Sequence, residues 1–165
     1  MKKLIALMLC LVLALSMSVT AFAEGEQTGT TTLTVTVPEP SYTMHIPADM
    51  TLEYGNAEEQ EIGDVYVTNV VNVDSSIVVH SPYTDLKNSS NTEDTIAMSL
   101  FRGPSEIDQS GQSGAIVYDK SEAGHNSYDE NGYAKYTYYA KVNDWSGATA
   151  GAVYQATITW NFKIN

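Results

Sequence analysis

Tyr154-Gln155-Ala156-Thr157-Ile158-Thr159-Trp160-Asn161-Phe162-Lys163-Ile164 is the stretch that decides the fold class. Tyr154, Ala156, Ile158, Trp160, Phe162 and Ile164 fall on one side of a period of two. Gln155, Thr157, Thr159, Asn161 and Lys163 fall on the other. Successive side chains alternate between two faces in an extended strand, so the run reads as a strand with one buried and one wet face. Burial of each large apolar side chain contributes about 1.5–3 kcal/mol before chain entropy is counted. A slip of one residue would turn the whole apolar set to water, which pins the register.

The same period recurs upstream. Ala134, Tyr136, Tyr138, Ala140 and Val142 share one face of residues 133–142, and the Gly/Ala-rich residues 143–151 suit a hairpin joining this strand to the last one. Residues 65–73 form a valine-rich strand, and Asp74-Ser75-Ser76 is turn chemistry that predicts a hairpin return through residues 77–80. Ile96, Met98 and Leu100 alternate again, and residues 115–118 make a short strand. Near the start, Leu33, Val35 and Val37 alternate with Thr32, Thr34 and Thr36, a half-buried strand ended by Pro38. Tyr42, Met44 and Ile46 then share a face of a second extended piece ended by Pro47. Residues 82–94, 102–114 and 120–132 read as loops, the second with room for a helical turn and the third closing on Asn131-Gly132. No segment holds a helical period for three turns. The expected fold is all-β, an immunoglobulin-like β-sandwich of about seven to nine strands over residues 31–165.

The N-terminus carries the three parts of an export signal. Lys2 and Lys3 give a positive start, residues 4–15 are apolar and uncharged, and Ala21-Phe22-Ala23 is a small-x-small cleavage site. The apolar run is short against the roughly 20 residues of a membrane anchor. Cys10, the only cysteine, lies inside that run rather than at its end, which argues against lipid modification. Cleavage after Ala23 leaves 142 of the 165 residues, with residues 24–30 as a flexible leader. It removes the cysteine and both lysines, and the formal charge moves from −12 to −14. An acidic, thiol-free domain is not suited to nucleic acid or anionic lipid, so neither is expected as a partner, nor a membrane after cleavage. Stability must come from burial and sheet hydrogen bonds. The expected location is extracellular, secreted or associated with the cell wall.

Ser41-Tyr42-Thr43-Met44-His45-Ile46-Pro47-Ala48 resembles the Y-x-x-x-I-P-A segment near the start of many small surface modules of Gram-positive bacteria. Gly63-Asp64-Val65-Tyr66-Val67-Thr68-Asn69-Val70 follows it, as it does there. The ending from Gly151 to Phe162 is similar to the terminal strand of WxL-type domains, with Trp160-Asn161-Phe162 in place of Trp-x-Leu. The resemblance implies an exported, Ig-like, cell-wall-associated module and association with peptidoglycan.

The residues themselves offer little catalytic chemistry. His45, His80 and His125 have no neighbours at metal-ligand spacing, and no Gly-x-Ser-x-Gly elbow is present. Asp129-Glu130-Asn131-Gly132 looks like the start of a calcium loop, but the twelfth position of an EF-hand would be Ala140, so a hairpin turn is the better reading. No catalytic residue, metal site or cofactor is expected. The best binding signal is aromatic. Tyr133 and Tyr139 lie opposite in register to Tyr136 and Tyr138, and Trp145 sits in a Gly-rich loop tip. Exposed rings of this kind stack on sugars or fill protein pockets. Three functions remain open: a non-enzymatic surface module for adhesion or surface-protein assembly, a carbohydrate-binding module using Trp145, Tyr133 and Tyr139, and a self-assembling subunit. In the last, residues 30–37 add as a strand to a neighbour. Cell-wall polysaccharide and other surface proteins are the expected partners.

Overall fold

The computed structural model describes residues 32–165; the expected export signal, the expected cleavage site at Ala23 and the expected leader over residues 24–30 lie outside the described residues. The chain divides into two units, Met1–Thr36 and Val37–Asn165. All eleven strands fall in the second: β1 (Ser41–His45), β2 (Gln60–Val71), β3 (Ser76–His80), β4 (Leu86–Asn88), β5 (Asn91–Ile96), β6 (Met98–Arg102), β7 (Ser105–Ile107), β8 (Ala115–Asp119), β9 (Tyr136–Val142), β10 (Tyr154–Gln155) and β11 (Asn161–Ile164). The one helical element among the described residues is a 3-10 turn over Lys120–Glu122, with the Asp119 carboxylate accepting from the Ser121 N–H.

Three antiparallel sheets result, in the orders β1-β2-β9-β6-β7, β10-β4-β5 and β11-β3-β8, an arrangement consistent with a β-sandwich. The two small sheets run into one another. Residues 153–165 lie antiparallel along residues 76–89, through β10 with β4, a bridge between Ile158 and Tyr83, and β11 with β3. Thr84 N–H donates to Thr157 O at 3.1 Å and Thr159 N–H to Pro82 O at 2.9 Å, which carries the ladder across the gap. The long terminal strand is thus present, interrupted where Pro82 supplies no donor. Its even-numbered residues face inward as expected, but most are only half-buried and Ile164 is exposed.

Val65 and Val67 of β2, Ile77 and Val79 of β3, Leu100 of β6, Val117 of β8, and Tyr138 and Val142 of β9 are the innermost side chains of one core. The inward register expected for residues 134–142 is observed: Ala134, Tyr138, Ala140 and Val142 are buried, and Tyr136, the fifth residue of that face, is half-buried against the same core. Most of these core positions are β-branched or aromatic, which suits a pleated surface packed against neighbours.

Several expectations are corrected. The strand count among the described residues exceeds seven to nine because short polar strands leave no apolar period to mark them. β4 and the start of β5 form a hairpin within residues 82–94, and β6 and β7 form another across Gly103-Pro104. β5 is largely exposed, so it carries no apolar alternation to betray it. Residues 102–114 contain this hairpin and no helical turn. Neither of the two expected hairpins forms. Asn72, at φ 54°, turns the chain out of the first sheet, and β3 pairs with β8 and β11 instead of β2. β9 pairs with β2 and β6, while the terminal strand joins the other layer. Finally, residues 32–37, expected to be a half-buried strand, belong to no strand, and Leu33 is 89% exposed. An alternating sequence has strand potential, but a strand exists only when a ladder partner is supplied.

Candidate functional site

The end of β2 and the segment leading into β9 frame an open groove of about 710 Å³. Tyr66, Asn69, Asn126, Tyr128, Tyr133 and Lys135 are among its lining residues. β2 supplies Tyr66 on the face opposite buried Val65 and Val67, which follows from strand alternation. The other wall comes from a run of turns. Gly132, at φ 83°, closes the Asn131-Gly132 turn, and the Asp119 N–H donates to its carbonyl at 2.8 Å. The Asp129 carboxylate accepts from the N–H groups of Asn131 and Tyr133, at 2.8 and 3.0 Å, and so holds that turn closed. Asn69 and Asn126 both sit at φ 53°, a left-handed conformation asparagine tolerates better than most residues.

The aromatic walls are braced. The His45 ring stacks on Tyr66 with centroids 4.3 Å apart and planes 2° from parallel, while its Nε2 lies 2.8 Å from Thr68 Oγ1. Tyr133 packs against Tyr118 at 5.2 Å, and its hydroxyl accepts from the Val70 N–H at 3.3 Å. Burial raises the Tyr128 phenol pKa, so that hydroxyl stays protonated and able to donate. Lys135 is paired with Asp64 at 2.9 Å, and Thr137 Oγ1 donates to the same carboxylate at 2.7 Å. These two hydrogen bonds, that from Lys135 first, hold Asp64 below the usual carboxyl pKa. The groove therefore combines aromatic rings with amide, hydroxyl and ammonium groups whose positions are set by the framework. That mixture suits a polyhydroxylated ligand, whose C–H faces pack on rings while its hydroxyls exchange hydrogen bonds.

The three aromatics singled out from the sequence do not share one surface. Tyr133 lines the groove, in the turn before β9 rather than in the strand. Tyr139 lies half-buried within β9, paired with Glu61 and Phe101. Trp145 lies beyond the other end of β9, half-buried rather than at an open tip. Its indole N–H donates to Asn56 O at 3.0 Å, and Tyr54 meets the ring edge-on at 5.0 Å. The seven residues of β9 alone separate the two ends by about 20 Å. Tyr66 and Tyr128 carry no joint mark in the sequence, because they lie some sixty residues apart and only the fold makes them neighbours. The signal available in sequence was the left-handed tendency of the asparagines beside them.

His80 Nδ1 lies 3.0 Å from Gly111 O, which ties the end of β3 to the loop between β7 and β8. Among the described residues, no three His, Cys, Asp or Glu side chains are grouped so as to hold a metal ion. No family model matches the chain, and no curated protein matches it significantly.

Proposed function

We propose that this chain is an exported, non-enzymatic module of the cell surface or cell wall, immunoglobulin-like in type, that acts in adhesion by binding wall polysaccharide in the Tyr66–Tyr128–Tyr133 groove. The observation that carries this reading is the groove itself: three tyrosines and a salt-bridged lysine presented by β2 and the segment that leads into β9. The export signal and the resemblance to WxL-type modules agree with it. Trp145, with its indole N–H already satisfied and its ring partly covered, contributes to holding the loop over residues 143–153 in this reading.

The test is a pull-down of the purified chain on cell-wall polysaccharide, with titration against soluble fragments. Tyr66→Ala and Tyr128→Ala should each weaken binding about tenfold or more, equivalent to 1.4 kcal/mol or more. Trp145→Ala should leave affinity unchanged. Full binding by the double tyrosine variant sinks the groove as the site, and loss of binding only in Trp145→Ala moves the platform to that loop. Fractionation of cells into medium, wall and membrane tests the location; recovery in the cytoplasm refutes the export reading.

A further inference from the structure

Among the described residues, the strand over residues 153–165 pairs on one side only, since β10 and β11 each end the order of their sheet, and its other edge is free of a described partner. The bridge between Tyr83 and Ile158 is a non-hydrogen-bonded pair. The two bonds that flank it, Thr84 N–H to Thr157 O and Thr159 N–H to Pro82 O, belong to the neighbouring residues. Ile158 therefore turns its own N–H and C=O to the free edge, and by the same alternation so do Trp160 and Phe162. Natural edges are guarded by charges, prolines or bulges. Residues 153–165 contain no proline and one charge, Lys163, and the single irregularity, between the Gln155–Lys87 and Ile158–Tyr83 pairs, places its extra residue on the partner strand.

The flank beside this edge is open to the core. Met44 pairs with Val67, which is 1% exposed, so the two share the core-facing side of their sheet; yet Met44 is 56% exposed. Ile164 pairs with the fully buried Ile77, yet is itself 36% exposed. β1 is also the last strand of its sheet, and the Tyr42 and Phe162 rings, 6.3 Å apart, show that its flank and that of the terminal strand face each other. Two sheets thus end side by side, with Met44 and Ile164 left exposed on their core-facing sides next to the Tyr42 and Phe162 rings.

Residues 33–37 have the composition of a strand that would cover them. They form no strand here, carry no charge, and expose Leu33, Val35 and Val37 on one side of a period of two. Their five residues match in length the five edge positions 158–162. We propose that residues 33–37 of one copy add as a β-strand to the free edge of residues 153–165 in a second copy, with Leu33, Val35 and Val37 covering the open flank beside Met44, Phe162 and Ile164. Main-chain hydrogen bonds supply affinity and the three apolar side chains supply register. Donor and acceptor are different surfaces, so the contact is heterologous and propagates as a chain of subunits unless it closes into a ring. The surface it uses does not include the tyrosine groove, and the assembly stands or falls independently of polysaccharide binding.

The test compares the processed, secreted chain with Val35→Asp, by light scattering over a range of concentrations. Residue 35 lies outside every strand, so the variant folds as the parent does. The parent should grow in mass with concentration, and Val35→Asp should remain monomeric. In a second arm, a peptide of residues 31–38 is added to a chain beginning at Pro38, which retains all eleven strands. The peptide should raise its melting temperature, and the same peptide carrying Val35→Asp should not. Three results overturn the proposal: a parent chain monomeric at its highest soluble concentration with no peptide effect, oligomers untouched by Val35→Asp, or a monomer whose residues 33–37 are protected from hydrogen exchange by their own domain.

Discussion

Tyr138 is the largest of the fully buried side chains, and its ring meets Trp160 edge-on at 4.8 Å. Burial raises its phenol pKa, opposed by the Ser81 hydroxyl close by, but neither oxygen completes a hydrogen bond of proper geometry with protein atoms among the described residues. A buried hydroxyl without a partner is destabilising, whereas the ring is a large apolar contribution. Tyr138→Phe should therefore leave the melting temperature unchanged or raise it, while Tyr138→Ala should cost about 3–5 kcal/mol in a urea titration. A large loss in Tyr138→Phe would show that the hydroxyl is satisfied. Two carboxylates act at the same scale. Asp64 is held low by Lys135 and Thr137, and Asp94 by hydrogen bonds from Asn88, Tyr154 and Thr149. Both have folded pKa values below the ordinary 3.8, so their contribution is complete above that value and is lost as pH falls through the folded pKa. Melting temperature should hold from neutral pH down towards 5 and fall below 4, with a shallower acid slope in Asp64→Asn/Asp94→Asn. An identical slope in that variant places the acid sensitivity elsewhere.

At the scale of elements, two glycines separate backbone conformation from crowding. Gly55 and Gly132 both have positive φ, but a Cβ at Gly55 would meet nothing within 4 Å, while one at Gly132 would lie 2.4 Å from Asp119 O. Gly55→Ala should cost about 1 kcal/mol, the usual penalty of the left-handed region. Gly132→Ala should cost at least twice as much, because the turn beneath the groove must shift; denaturant midpoints of the two variants measure the difference. The elements also differ in how visible they were. The strands over residues 136–142 and 154–164 were legible because their inward faces are apolar at every second position. β5 and β7 were not, because strands at a wet edge form ladders with polar side chains and leave no apolar period. The pairing of strands was least legible. Asp74-Ser75-Ser76 looks like a hairpin turn, yet one left-handed residue before it, Asn72, sends β3 into the other layer.

For the whole molecule, charge and assembly are linked. A chain of formal charge −12, or −14 if cleaved after Ala23 as the sequence leads one to expect, repels its copies, while the proposed strand addition is carried by uncharged residues. Raising salt should therefore strengthen self-association through screening, with the Val35→Asp chain monomeric throughout. Light scattering in low and high salt reads this directly, and association that weakens with salt would identify an ionic contact instead. The sequence by itself determined the class of structure and the inward register of its clearest strands, along with the chain's acidic composition and its single cysteine, Cys10. These are local properties, set by period, composition and order along the chain. Tertiary structure decided which strands pair, that Tyr133 joins Tyr66 and Tyr128 rather than Tyr139 and Trp145, and that the decisive terminal strand lies at an open edge. Those outcomes depend on contacts between residues distant in sequence, where the free energy of burial is shared among many alternatives that the folded chain alone resolves.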